Sequence, residues 1–532
     1  MPKYIFITGG VASSLGKGIT TAALGRILKS RGLNVTAVKF DPYINVDAGT
    51  MNPYQHGEVF VTVDGAETDL DLGHYERFID VNLHKHNNVT TGTVYETVIS
   101  RERRGEYLGE CVQVVPHITD EIKKRITMVA EKDDAHIVLV EVGGTVGDIE
   151  GLPFLEAIRQ LKREIGHGNS LNVHVTYIPY LRAAQEFKTK PTQHSVKELR
   201  SIGIQPEVLI ARSERPIPSE HKDKISLFCD VPIEAVIDVP DLDTIYKAPI
   251  CLEDAGLGKI IQERLNCLNG TADLEIWKNI INKSQNTTSE VEIALVGKYV
   301  AIKDAYLSVI EALKHASIHL SNNLKIKYVP AEYLESPDIE NILKNSDGII
   351  IPGGFGARGI EGKINAISYA RKNKIPFLGL CLGMQLAVVE FARSCCGLTG
   401  AHSSEFDENS SYKVIDLVPG QEAVVGTGGT MRLGAYKAGL RSNTRAMNLY
   451  QKQFVFERHR HRYEVNPDFV NILENHGLLF SGWHNELAEI VEISDHPFFM
   501  ATQFHPEFAS RPTNPHPLFL GFIESAIKNR YK

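Results

Sequence analysis

No stretch of the 532 residues approaches the ~18 uninterrupted apolar residues that a membrane-spanning helix requires. The most apolar segment, Phe377 to Phe391, is broken by glycines and Gln385. The N-terminal run is too short for a signal peptide, and no cleavage-like site follows it. A long Lys/Arg tract is also missing. With 57 basic and 65 acidic side chains the formal charge is −8, which speaks against broad nucleic-acid binding by phosphate neutralisation. There is no C-x-x-C pair, and the seven cysteines (111, 229, 251, 267, 381, 395, 396) are odd in number. A disulfide framework or structural zinc site is therefore not expected, and a reducing cytosol is. The expectation is a cytoplasmic protein with no membrane or nucleic-acid partner.

What is present suits a large globular enzyme: 43% hydrophobic and 23% charged residues. At about 150 residues per domain, the length allows two to four domains. Tyr4 to Thr8 reads as a strand, followed by a Gly-rich loop, a helix from Lys17 to about Arg31 and a strand from Asn34 to Phe40. Further buried-strand runs are Ile137 to Val142, Val173 to Ile178 and Val208 to Ala211. Residues 267–290 are rich in Asn, Ser and Thr, with one short amphipathic patch around Ile276 to Ile281, and read as a linker. At Val291 a second α/β alternation begins, with helices at Ala305 to Leu320, Ile364 to Arg371 and Met384 to Arg393. The expected fold is α/β with two domains, 1–266 and 291–532, each a mostly parallel sheet flanked by helices.

Gly9 to Gly18, between strand and helix, can turn loop N–H groups and a helix N-terminus toward a phosphate, with Lys17 adding charge. It departs from a Walker A loop: position 11 is Val, and Gly18 stands where Ser or Thr is expected. The alternative is a Gly-rich turn with an exposed lysine. Metal-binding acids are offered by Glu141, at the end of an apolar strand, and by Glu67 to His74, which reads equally as a solvated loop. Lys188 to Gln193, before a helix, suits a second triphosphate or is a set of surface lysines.

In the second half, Gly379-Leu380-Cys381-Leu382-Gly383 between strand and helix is a nucleophile elbow with a thiol. A buried structural cysteine is the alternative for Cys381. His505 and Glu507, two residues apart, supply a base and the group that orients it. Pro352-Gly353-Gly354 ends a strand and can supply an oxyanion N–H. The basic run Glu457 to Tyr463 reads as a solvated strand or a source of carboxylate-binding arginine.

Cys381, His505 and Glu507 with Pro352-Gly353-Gly354 resemble the class I glutamine amidotransferases. Behind a deviant P-loop amidoligase of the dethiobiotin-synthetase-like kind, they resemble the CTP synthase family over essentially the whole chain. The matching blocks are Gly10 to Gly18, Asp41 to Asp47, His56 to Val61, Asp69 to Phe78, Lys188 to Ser195 and Gly428 to Gly434. The resemblance implies ATP-dependent amination of UTP to CTP through 4-phosphorylated UTP, with ammonia from glutamine carried through the protein. It implies CTP as feedback inhibitor, GTP as activator, Mg²⁺ with ATP, no organic prosthetic group and a homotetramer.

Carried over by motif, Ser14, Leu15, Gly16, Lys17, Gly18 and Ile19 hold ATP phosphates, with Lys17 catalytic, and Pro240, Asp241 and Leu242 meet the ATP base. Asp71, also in the ATP site, and Glu141 ligate Mg²⁺. Ser13, Asp148, Ile149, Glu150, Lys188, Thr189, Lys190, Pro191, Thr192, Gln193 and Lys224 contact UTP or CTP. Gly354, Leu382, Gly383, Met384, Gln385, Glu405 and Arg462 bind glutamine. Cys381 attacks the amide, His505 moves the proton and Glu507 orients His505. The block from Gly428 to Gly434 resembles the family's lid, through which GTP promotes glutamine hydrolysis.

A fused amidoligase acting on a corrin carboxylate would share the elbow but not the blocks at Asp69 to Phe78 and Lys188 to Ser195. A GMP-forming amidotransferase needs a Ser-Gly-Gly-x-Asp-Ser loop, which is absent. A non-catalytic nucleotide-binding or filament scaffold would have little use for Lys17, Asp71, Glu141, Cys381, His505 and Glu507 together.

Overall fold

The computed structural model describes residues 1–166, 168–267, 270–417 and 431–532. They form two compact units, Met1–Ala48 with Asp71–Ile281 and Gly49–Leu70 with Asn282–Lys532.

The first unit is built on a seven-stranded sheet of β1 (Lys3–Gly9), β2 (Val35–Asp41), β3 (Asn88–Thr90), β4 (Ile137–Val142), β5 (Ser170–Tyr177), β6 (Val208–Ser213) and β7 (Val236–Pro240). Their order is β7-β6-β5-β1-β4-β2-β3, and every pairing is parallel. Residues 137–142 are wholly buried, as expected of a strand covered on both faces. Helix α1 (Lys17–Ser30) follows β1, and helix α2 (Lys190–Ser201) follows β5.

The polar texture of 267–290 conceals a helix, α3 (Glu275–Gln285). Its Trp277, Ile280 and Ile281 are buried. Trp277 lies 5.1 Å from the Phe78 ring, and its indole N–H donates to the Tyr246 carbonyl. Three apolar residues on one face of a short amphipathic helix suffice to dock it, although the segment around them is largely polar.

The second unit has a nine-stranded sheet: β8 (Ser289–Gly297), β9 (Asn322–Pro330), β10 (Gly348–Ile351), β11 (Phe377–Leu380), β12 (Arg432–Leu440), β13 (Phe454–His461), β14 (Leu479–His484), β15 (Leu487–Glu492) and β16 (Phe499–Thr502). Their order is β9-β8-β10-β11-β16-β15-β14-β12-β13. The β9 to β16 half is parallel, and the remainder is antiparallel. Parallel character thus covers half of this sheet, because the last strands connect without crossover helices. Helices α4 (Ile360–Lys372) and α5 (Leu382–Ser394) follow β10 and β11. Residues 49–70 cluster with this unit: Arg460 binds Glu67 at 2.7 Å and the Gly49 carbonyl at 2.9 Å, while Arg458 binds the Val61 carbonyl at 2.9 Å.

Candidate functional site

In the first unit the loop after β1 places Val11 (φ 79°), Ser14 (φ 57°) and Gly16 (φ 90°) in the left-handed region. Non-glycine residues hold that conformation only where the surroundings impose it, and it turns successive N–H groups to one side. Lys17 opens α1, and its Nζ donates to the Gly144 carbonyl at 2.6 Å. Burial, then neighbouring Lys39, pushes its ammonium below the ordinary lysine range.

A Cβ at position 18 would lie 1.9 Å from Asp71 Oδ1. The departure from Walker A therefore has a steric cause: the Asp71 carboxylate occupies the space a Ser or Thr side chain would need. Lys39, which sequence reasoning passed over, joins the predicted acids. Its Nζ pairs with Asp71 and lies 2.8 Å from Glu141 Oε1. Glu141 Oε2 accepts from Thr21 at 2.9 Å and from the Tyr75 hydroxyl. Burial resists ionisation of Asp71, but Lys39, His74 and Lys17 hold it below the usual carboxylate range. Asp41 goes the other way, because burial outweighs Lys39.

The only sequence signal for Lys39 is a lysine inside an apolar strand. Its meaning appears once β2 pairs with β4 and Lys39 stands in register with Glu141. Asp71 and Glu141 converge on one cationic atom, a donor set that fits Mg²⁺ completed by phosphate oxygens. Among the described residues no cluster of three or more His, Cys, Asp or Glu forms a self-sufficient metal site.

The remaining nucleotide candidates follow the C-terminal ends of the parallel strands, where α/β sheets bind ligands. Ser13 is exposed in the first loop. Asp148 accepts from the Thr145 N–H at 3.0 Å, and Ile149 and Glu150 lead into helix Leu152–Ile165. Lys188 pairs with Glu186, while Thr189 caps α2 and Lys190 to Gln193 form its first turn. Lys224, on helix Ser219–Cys229, also lowers the Glu186 carboxyl, after Lys188 and His221. Pro240 ends β7. Arg212 binds the Pro240 carbonyl at 3.1 Å and Asp241 at 2.9 Å, and Leu242 follows. A buried chain ties the base of the phosphate loop to α2: Thr8 to His174 Nδ1 and His174 Nε2 to Ser195, each 2.8 Å. Burial pushes that imidazole down to about 3.

In the second unit Cys381 sits at the β11–α5 junction with φ 52° and ψ −101°, a strained position for a residue with a Cβ. A Cβ on Gly383 would lie 2.3 Å from the Ile351 carbonyl oxygen, so the elbow needs glycine there. His505 Nδ1 lies 2.7 Å from Glu507 Oε1, and its ring stacks on Phe508 at 5.2 Å. Burial opposes protonation of His505, but Glu507 and then Cys381 push it up to about 10. Gln503, a residue sequence reasoning missed, points its amide at Cys381 Sγ from 3.7 Å. Its only signal is proximity to His505 in the chain.

A cavity of about 590 Å³ contains Gly353, Gly354, Cys381, His505 and Glu507 in its walls, with Glu405, Arg462 and Tyr463. Of the predicted glutamine residues, Gly354, Glu405 and Arg462 line it. Leu382, Gly383, Met384 and Gln385 form the buried first turn of α5, and the Gln385 amide donates to the Tyr463 carbonyl at 2.8 Å. Burial raises the Glu405 carboxyl. The run Glu457 to Tyr463 is not solvated as a whole: Glu457, Arg458, His459 and His461 are buried. Of the block from Gly428 to Gly434, residues 428–430 lie outside the described residues. Met431 borders the cavity, and Arg432 binds Glu464 and Glu489 at 2.8 and 2.7 Å.

Two sequence families match this chain: CTP synthase N-terminus over residues 3–267 and glutamine amidotransferase class-I over residues 301–525. CTP synthase of Geobacillus kaustophilus is 57% identical over 532 residues, 99% of this chain and 100% of that protein. CTP synthase of Caldanaerobacter subterraneus subsp. tengcongensis is 58% identical over 529 residues, 99% of this chain and 98% of that protein. The glutaminase domain of Trypanosoma brucei CTPS, solved with bound acivicin, aligns at 39% identity with a TM-score of 0.43, over 45% of this chain and 94% of that one. With identity of this level running from one end to the other, the chain belongs to the CTP synthase family.

Proposed function

We propose that this chain is a glutamine-hydrolysing ligase that converts UTP, ATP, glutamine and water to CTP, ADP, phosphate and glutamate. The observation that carries the reading is end-to-end identity with CTP synthases. Two separate clusters of chemistry-bearing side chains support it.

In the second unit, Glu405 and Arg462 in one cavity offer opposite charges to the ammonium and carboxylate of a free amino acid. Cys381 Sγ attacks the side-chain amide carbon. His505, held by Glu507, passes the thiol proton to the departing nitrogen, so ammonia leaves and a thioester remains for water to hydrolyse. The Gly353-Gly354 turn and the start of α5 supply N–H groups to the oxyanion.

In the first unit, residues 14–19 hold ATP phosphates and Lys17 stabilises the transferring phosphoryl group. Phosphorylation of UTP at O4 turns a poor leaving oxygen into a good one. Ammonia attacks C4, and phosphate departs with that oxygen. Asp71 and Glu141 would hold Mg²⁺, which when bound neutralises charge on the phosphates. Lys188 to Gln193, Lys224, Ser13 and Asp148 to Glu150 serve UTP and, in feedback, CTP; Pro240 to Leu242 serve the ATP base. The same reading includes passage of ammonia inside the protein, activation by GTP, a homotetramer and a cytoplasmic setting. No described helix is long and apolar enough to cross a membrane.

The test is direct: purified protein given UTP, ATP, Mg²⁺ and glutamine should yield CTP by ion-exchange chromatography. Glutamate release without CTP would favour an amidoligase with another acceptor.

A further inference from the structure

Cys381 is buried, so a sulfur anion formed there needs hydrogen-bond donors from the protein in place of water. Its backbone is held by β16: Leu380 stands in register with Thr502, and the Cys381 N–H donates to the Thr502 carbonyl at 2.7 Å. The next residue, Gln503, is fully buried, and its backbone N–H donates to the Glu489 carbonyl of β15 at 2.9 Å. From that anchored point its side-chain Nε2 reaches Cys381 Sγ at 3.7 Å. The Arg460 carbonyl oxygen of β13 lies on the same sulfur at 3.8 Å. That oxygen can accept from the thiol, but it gives nothing to an anion.

The direction of the Gln503 amide follows from its neighbour on α5. A carbonyl only accepts, so the Tyr463 carbonyl, 2.8 Å away, fixes the nitrogen of Gln385. The same nitrogen lies 3.5 Å from Gln503 Oε1. Oxygen therefore faces Gln385, and the Gln503 amide turns its nitrogen to the sulfur. The charged groups that share the cavity with Cys381 are His505, Glu507, Arg460, Glu405 and Arg462, with Lys363 of α4 behind Gly354. Arg460 is bound to Glu67. Replacing Gln503 by an apolar residue alters none of these charges, so its effect on the sulfur reports the amide.

We propose that Gln503 is a catalytic residue of the glutaminase: its side-chain N–H donates to Cys381 Sγ and stabilises the thiolate that attacks glutamine. This rests on the glutaminase reading above. The thiol proton passes to His505, the sulfur keeps the electron pair, and the amide N–H meets the charge left behind. Without that donor the thiolate forms only at higher pH.

The experiment alkylates the full-length chain with iodoacetamide across a pH series and follows the peptide containing Cys381 by mass spectrometry. Gln503→Leu should move the acid limb of the alkylation rate up by about one pH unit, a roughly tenfold slower reaction on that limb. The alkaline plateau should be equal or higher, since a thiolate of greater proton affinity is the stronger nucleophile. The acid limb of kcat/KM for glutamine hydrolysis should move with it, while CTP formation from added ammonia stays within about twofold. An unmoved limb overturns the proposal. So does alkylation slowed by one factor at every pH, which would mean that Gln503 only packs beside the sulfur. Should thermal unfolding show Gln503→Leu misfolded, Gln503→Met keeps the length without the donor and must shift the limb in the same direction; no shift there overturns the proposal as well. If the unaltered protein releases no glutamate from glutamine, the glutaminase reading itself fails, whatever the alkylation profile.

Discussion

At the scale of single residues, the second unit assigns different work to three side chains that composition cannot separate. Seven cysteines are present, but only Cys381 combines an elbow conformation with a histidine held by a carboxylate. Glu507 does not touch the reacting sulfur. It fixes the His505 tautomer and raises the imidazole's affinity for a proton. Glu507→Gln should keep the hydrogen-bond geometry but remove that charge, letting His505 fall back from about 10. We expect kcat for glutamine hydrolysis to drop by about 10³-fold with little change in KM. CTP formation from added ammonia should remain; a comparable loss with ammonia would show that Glu507 serves something other than the glutaminase. Stopped-time glutamate and CTP assays on one preparation measure both.

At the scale of elements, the elbow works because β11, β10 and α5 meet closely. Gly383 stands with its missing Cβ 2.3 Å from the Ile351 carbonyl oxygen of β10. Gly383→Ala forces α5 away from the sheet, and its start carries both Cys381 and the N–H groups proposed for the oxyanion. The expected cost is about 2–3 kcal/mol of stability, visible as a lower melting temperature, with a larger loss of glutamine hydrolysis than of ammonia-dependent synthesis. An unchanged melting temperature would mean that α5 yields freely. This contact also shows what sequence could convey. The strand–Gly-x-Cys-x-Gly–helix pattern is legible because each part is local: a strand, β11, precedes Cys381, and α5 begins two residues before and ends one residue after the expected Met384 to Arg393. Lys39 was not legible. Its partners lie 32 and 102 positions away, and only the pairing of β2 with β4 brings them together. Helix α3 reads in the sequence only as a short amphipathic patch within a linker, because its docking face is three residues wide and the polar residues around it set the local composition. The antiparallel half of the second sheet likewise depends on long-range pairing, which alternation of apolar runs does not report.

At the scale of the whole molecule, the two clusters of reacting groups belong to separate compact units of one chain, and the proposed function requires a small neutral nucleophile to pass from one to the other. This separation gives each unit a variant that silences it alone. Cys381→Ala removes the nucleophile, so CTP should form from added ammonia but not from glutamine. Asp71→Asn weakens the metal-binding pair and the Lys39 contact, so CTP should form from neither donor, while glutamine hydrolysis persists. The decisive experiment mixes the two after each has been purified. Ammonia released into bulk solution by Asp71→Asn chains would reach the intact first unit of Cys381→Ala chains, and CTP would accumulate. Ammonia confined to the chain that makes it would not, and adding an ammonia-consuming dehydrogenase would leave unaltered enzyme unaffected. We expect the mixture to stay below about a tenth of the unaltered rate, since a dilute intermediate competes poorly with one supplied at high effective concentration. Restoration to half the unaltered rate, abolished by the dehydrogenase, would instead mean that the units cooperate only through the solvent.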